Sequence, residues 1–372
     1  MKYALLLLAL VSNLAIADQC QSDKLSIHKN FAMGRFNTCE VSAAGHYRLT
    51  LKPENLPINP SPWYALRLES SQAQQIELEL LVEHGKPRYL PKVSVDKQHW
   101  QPVDYQIDGS SMHIQLALPK GTLWLAGQEI MDDEDYQQWQ QQLEAKGLES
   151  IVLGQSVQGK PIEGLISRAD SQDWLIMIGR QHPPEITGAM AMTHFVDEVM
   201  EESAQAMALR KRFNVLLVPN MNPDGVHAGN WRHNVGGVDL NRDWFSRAQP
   251  ETQAVHSYLQ KILADGGKIR FALDFHSTHR DVFYTMPTDY GLTPPELVDN
   301  WLAQLAEAIK PYPVNIKPGH NKDRGVFKQY IADTYGVHAV TYEVGDNTDR
   351  QDIANVARAA AQQLMDVLKT LP

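Results

Sequence analysis

His182-Pro183-Pro184-Glu185 puts an imidazole and a carboxylate three residues apart. That spacing lets a histidine at a loop end and a glutamate in the first turn of the next helix converge on one ion. Proline is well tolerated where a helix begins. Alone, the pair is a weak signal, because chance matches far outnumber real sites. A third protein ligand makes it a His₂Glu set, which leaves a fourth position for water, as catalytic zinc sites do. His276, at the end of the apolar run Phe271-Ala272-Leu273-Asp274-Phe275, is the first candidate for that ligand. His279, one turn further into a loop, is its rival. The plain alternative for His276 is a strand-end histidine bonded to backbone.

These residues need elements that aim them at one place. From about residue 148, short apolar runs alternate with longer helical stretches. Residues 174–178, 213–218, 271–275 and 339–342 read as buried strands, and helices are predicted near 186–202, 250–265, 295–309 and 350–369. That alternation predicts an α/β domain with a mainly parallel or mixed sheet. His182 and Asn222 each come four residues after a strand, while His276 and Glu343 directly follow one. Ligands of open α/β sheets bind beyond the carboxyl ends of the strands, so four strands deliver His, Asn, His and Glu to one edge.

The part before this is different. Residues 63–68, 76–80 and 113–118 alternate apolar and polar side chains, with turn residues such as Asn59-Pro60-Ser61-Pro62 between such runs. Short alternating strands at that spacing predict a β-sandwich. Between the two regions, Asp132, Asp133 and Asp135 open a Gln-rich helix that ends at Gly147, with acidic residues and glycine where a helix favours each. The domain boundaries expected are a signal peptide over 1–17, the sandwich over 18–130, a linker helix over 131–147 and a catalytic domain over 148–372.

The first seventeen residues carry Lys2, an apolar stretch from Ala4 to Val11, and Ala15-Ile16-Ala17 before the expected cleavage point, the pattern of a secretory signal. No later run approaches the roughly 20 apolar residues of a membrane span. Export, to a periplasmic or extracellular location, favours a disulfide between the only two cysteines, Cys20 and Cys39. A net charge of −10 argues against nucleic acid as a partner, because no basic face is available to neutralise phosphates.

The stretch from Asn222 to Trp244 makes a resemblance specific. His182-Pro183-Pro184-Glu185 is followed by Asn222-Pro223-Asp224-Gly225, Gly229-Asn230-Trp231-Arg232, Asp239-Leu240-Asn241-Arg242-Asp243-Trp244, the strand-end His276 and Thr341-Tyr342-Glu343. Residues 154–161, Gly-Gln-Ser-Val-Gln-Gly-Lys-Pro, also match the opening segment. In this order the motifs resemble the M14 zinc carboxypeptidases, above all the cytosolic-carboxypeptidase-like branch, which carries a β-sandwich ahead of its catalytic domain. The resemblance implies a mixed central sheet flanked by helices, preceded by a small all-β sandwich. It implies one zinc per chain on His182, Glu185 and His276, with Glu343 as general base and Arg232 stabilising the oxyanion. Asn241 and Arg242 would hold the terminal carboxylate of a peptide substrate, and Asp239 would orient His182.

Two departures follow. Many members of the family place a mobile tyrosine about twenty residues before the general base, whereas Pro318–Arg324 holds none and offers His320. A signal peptide also points away from a cytosolic role and towards peptides outside the cytosol, including those of cell walls. Aligning Gly325 with the family's glycine puts Phe327 or Lys328 at the floor of the side-chain pocket and Arg324 at its rim, which predicts a preference for acidic C-terminal residues. The competing fate of Lys328 is a solvated helix face. Two other functions compete with a carboxypeptidase: an amidase cutting side-chain or γ-linked amides, and an inactive domain kept for binding, which would have lost a ligand or the base.

Overall fold

A computed structural model describes residues 19–372; the expected signal segment lies outside the described residues. Strands between Gln19 and Ala126 form two sheets. One orders 19–21, 25–28, 65–70, 121–126, 92–94 and 101–102; the other orders 38–43, 46–51, 74–82, 111–118 and 105–108. Alternation decides which side chains face inward. In Gln74–Val82 and Ser111–Leu118, Ile76, Leu78, Leu80, Met112, Ile114 and Leu116 are buried, and they meet Ile27, Leu66, Leu68 and Leu125 of the facing sheet in one core. Cys20 and Cys39 are disulfide-bonded and stand on strands of different sheets, so the bridge staples the sandwich across its layers.

The helix Asp133–Ala145 begins with a capping box. Asp132 accepts from the Glu134 amide and Asp135 reaches back to the Asp132 amide, which satisfies donors that no helix can pair internally. Its buried side chains Tyr136, Trp139, Gln140 and Leu143 recur at helical spacing on one face.

The catalytic half is built on a mixed eight-stranded sheet ordered 149–155, 161–167, 213–218, 173–179, 268–278, 339–345, 282–285 and 316–318. The strand Asp173–Gly179 runs parallel to Phe213–Val218 and to Lys268–Thr278, which is itself parallel to Ala339–Gly345. The middles of these strands are mainly apolar because both faces are covered. Leu175 and Met177 join a core with helices Ile186–Val199, Leu297–Ala308 and Arg350–Leu368. Trp174, Ile176 and Ile178 turn the other way, towards helices Pro250–Ala264 and Phe327–Tyr335. Strands end further along than the sequence predicts: His276 and Glu343 lie inside their strands, paired in register. In-register residues of neighbouring parallel strands present side chains on the same face, and that places the two beside each other.

The two halves are locked together. Trp231 of the catalytic half is fully buried within the hydrophobic cluster of the sandwich. Arg88 of the sandwich binds Asp346 with Nε and Nη2 at 2.8 and 3.1 Å, and Ser61 Oγ with Nη1 at 2.7 Å.

Candidate active site

His182 sits in a turn braced by Arg180 and Asn222. Arg180, at φ 55°, ends the strand. Its buried guanidinium donates to Pro183 O at 2.8 Å and to Tyr136 Oη at 2.9 Å. Asn222 caps the helix Pro223–Ala228 and donates Nδ2 to Gln181 O at 3.1 Å. Asn222 is therefore scaffold for the loop before His182, which corrects its place among the groups delivered to the edge. Glu185 stands at the cap position just ahead of its helix and makes no side-chain cap bond, because its carboxylate faces the two histidines.

Glu185 Oε1 lies 2.8 Å from His182 Nδ1 and Oε2 lies 2.7 Å from His276 Nδ1. The outer nitrogens are taken by other carboxylates: His182 Nε2 by Asp239 Oδ1 at 2.9 Å and His276 Nε2 by Asp274 Oδ2 at 2.8 Å. A carboxylate on Nε2 fixes the proton there and leaves Nδ1 as a lone-pair donor. His182, Glu185 and His276 are buried, and one ligand atom from each lies within 4.8 Å of the other two. His279 is exposed and 3.9 Å from Asp346, outside this cluster, so the rival third ligand falls away. Burial opposes ionisation of Glu185, yet the two imidazoles hold it well below the usual carboxylate range. His276, despite burial, is held well above the usual range by Asp274 and Glu185. Carboxylates pressed against two imidazoles supply the negative field and donor set that a divalent cation needs, so these residues fit zinc.

Around this cluster lies a cavity of about 450 Å³. Glu343 faces it from the strand next to His276. Burial pushes its carboxyl up to about 7, with the Glu185 charge adding to this and His276 opposing it. Arg232 is buried and donates Nε to Asp239 Oδ2 at 2.7 Å, so Asp239 ties the His182 ring to the arginine. Asn241 Oδ1 accepts from the Phe327 amide at 2.9 Å. Its Nδ2 lies 3.1 Å from His276 Nε2, whose proton already goes to Asp274, leaving the amide protons for another acceptor. Arg242 is exposed on the same wall, with one nitrogen on Asn241 O at 2.6 Å.

Lys328 lines the cavity and is 2% exposed, with Nζ donating to Thr285 O at 2.8 Å and to Gly319 O. It is no solvated lysine. Phe327 instead packs on Trp244 in the core, and Arg324 is exposed at the rim. Cations dominate the wall: Arg88, Arg232, Arg242, Lys317, Arg324 and Lys328 stand against Glu185 and Glu343.

Some residues that build the site were not anticipated from the sequence. Asp274 had a visible signal, a charge inside the apolar run 271–275. Tyr284, a phenol beside Glu343, and Arg88 and Asn59 of the sandwich had none, since only the tertiary fold brings them there.

A two-histidine, one-carboxylate donor set at the carboxyl edge of a mixed α/β sheet, with a carboxylate and an arginine beside it, defines a metallopeptidase centre. Residues 136–364 match the zinc carboxypeptidase family and residues 27–127 the cytosolic carboxypeptidase N-terminal domain; the chain belongs to the zinc carboxypeptidase family. It is 25% identical over 225 residues to an uncharacterized protein of Zymomonas mobilis, covering 58% of each chain. It is 35% identical over 109 residues to cytosolic carboxypeptidase 2 of Xenopus tropicalis, covering 28% of this chain and 11% of that protein. Its fold is that of a metallo-carboxypeptidase from Burkholderia cenocepacia, with a TM-score of 0.81 at 20% identity over 93% of this chain and 99% of the other. A metallo-carboxypeptidase from Pseudomonas aeruginosa gives a TM-score of 0.78 at 23% identity over 92% and 99%.

Proposed function

We propose that this protein is a zinc-dependent carboxypeptidase that removes one C-terminal residue, preferably an acidic one, from peptides outside the cytosol. The observation that carries this reading is one cavity holding the convergent His182–Glu185–His276 donors, the raised carboxyl of Glu343, and the arginines Arg232 and Arg242. Zinc, when bound, polarises the scissile carbonyl and lowers the pKa of water. Glu343 takes the proton of the attacking water and returns it to the leaving nitrogen, work suited to a carboxyl tuned close to neutrality. Arg232, with Nε committed to Asp239, turns its remaining donors to the oxygen on which negative charge develops. Arg242 and the Asn241 amide hold the substrate's terminal carboxylate.

The cationic wall draws anionic peptides, and Lys328, without a carboxylate partner among the described residues, favours an acidic side chain at the pocket floor. Export is supported by the signal-like residues 1–17 and by the Cys20–Cys39 disulfide; fractionation of cells making the full chain tests it.

Metal analysis of the purified protein should give about one zinc per chain, falling towards zero in His182→Ala. A stoichiometry near zero under zinc-replete conditions, or an unchanged value in the variant, rejects the centre. Peptides with α-linked and γ-linked C-terminal residues test the reaction: turnover confined to γ-linked amides replaces this reading with the amidase.

A further inference from the structure

The loop that carries Arg232 is held by the sandwich at residues 229–233, and by the catalytic half only beyond the arginine, where Asn234 Nδ2 donates to Gln249 Oε1 at 2.8 Å and to Glu251 Oε2 at 3.0 Å. Glu54, in the loop after the strand His46–Leu51, spreads its carboxylate over three consecutive amides. Oε2 accepts from Trp231 N at 2.8 Å, and Oε1 from Arg232 N at 2.9 Å and His233 N at 2.6 Å. Successive amides turned to one side form an anion-binding concavity, and here the chain fills it with its own carboxylate. The neighbouring Asn55 adds two bonds, Oδ1 with His233 Nδ1 at 2.8 Å and Nδ2 to Gly237 O at 3.0 Å.

The same loop meets the sandwich twice more, within this clamp and just before it. Trp231 is fully buried in the sandwich core. Gly229, at φ 64°, approaches the sandwich so closely that a Cβ would stand 2.8 Å from Met33 O. From that base the Arg232 side chain extends back to Asp239 and the cavity.

We infer that Glu54 is a positioning residue of the active site: the sandwich fixes the backbone from which Arg232 reaches the reacting carbonyl. This inference rests on the role given to Arg232 above. A donor aimed at a developing charge works because it is already in place, and a misplacement of about 1 Å can cost on the order of 10² in rate. Glu54 touches no substrate and acts through the arginine alone.

The test combines Glu54→Ala and the isosteric Glu54→Gln with Arg232→Ala in the full chain. Glu54→Ala should lower kcat about tenfold or more while KM moves by less than about threefold, with Glu54→Gln between it and the wild type, since an amide keeps one accepting oxygen. Zinc content should not change. In the Arg232→Ala background, Glu54→Ala should alter kcat by less than about twofold, because residues acting as a unit are not additive. Hydrogen exchange gives a readout independent of activity: the amides of 231–233 should exchange faster in both Glu54 variants, with the strands 173–179 and 268–278 unchanged. Unchanged kcat and exchange in Glu54→Gln and Glu54→Ala, or an equal loss with and without Arg232, overturns the inference. Undiminished kcat in Arg232→Ala removes the arginine from the mechanism and overturns Glu54's catalytic role with it. Accelerated exchange would then leave only a structural clamp.

Discussion

Glu343 and Lys328 are the two residues whose chemistry depends most on being buried. Glu343→Gln keeps the shape of the side chain and removes none of the metal donors, so zinc content and melting temperature should hold. Turnover should fall by about 10² to 10⁴, the usual contribution of a general base; near wild-type kcat would place the base elsewhere. Lys328 offers a pH signature. Burial lowers its ammonium to about 8, so the cation is present at neutral pH and lost as pH rises through that value, well before an exposed lysine would titrate. The ratio of kcat/KM for matched peptides ending in Glu and Leu should therefore fall between pH 7 and 9, and should be flat in Lys328→Met. A ratio independent of pH in the wild type would separate Lys328 from specificity. The types and order of these residues were legible in the chain, but their protonation was not. Nothing in Arg324-Gly325-Val326-Phe327-Lys328 distinguishes a buried lysine from a solvated one.

At the scale of elements, the metal cluster depends on how closely the helix Ile186–Val199 approaches the strand that carries His276. Gly188 makes that approach possible: a Cβ there would stand 2.4 Å from His276 O, and backbone cannot yield as a flexible side chain can. Gly188→Ala should push the helix and Glu185 off the strand, destabilise the protein by about 1–3 kcal/mol and weaken zinc binding. Urea unfolding and a competitive chelator titration measure the two, and unchanged zinc affinity would show that the contact relaxes locally. Buried strands announce themselves as apolar runs, which is why 173–179, 213–218, 268–278 and 339–345 were visible in outline. The edge strands 149–155 and 316–318, the inner strand 282–285 and the helix Ala204–Arg212 were not. Short segments have no periodicity strong enough to separate them from loops.

The whole molecule is held by contacts between its halves that end at the active site. Arg88 and Asp346 form an ion pair with side chains 11% and 3% exposed, three residues beyond Glu343 in the chain. Removing the guanidinium leaves Asp346 buried and unpaired, so Arg88→Ala should cost about 3–5 kcal/mol in chemical denaturation; a loss below about 1 kcal/mol would mark the pair as incidental. The sequence by itself determined the local features: the alternation that makes a sandwich, the apolar strands, and the His182–Glu185 pair with His276 and Glu343 towards the carboxyl ends of their strands. Each is a matter of residue type and spacing within a few turns of chain, where periodicity and covalent geometry act. Only the tertiary structure decided that His276 and not His279 joins the cluster, that Asp274 fixes the His276 ring, that Lys328 is buried, and that Glu54 and Arg88 reach across from the sandwich. Glu54 and Arg232 are separated by 178 residues, and no local pattern encodes a contact that exists only once both cores have formed and docked.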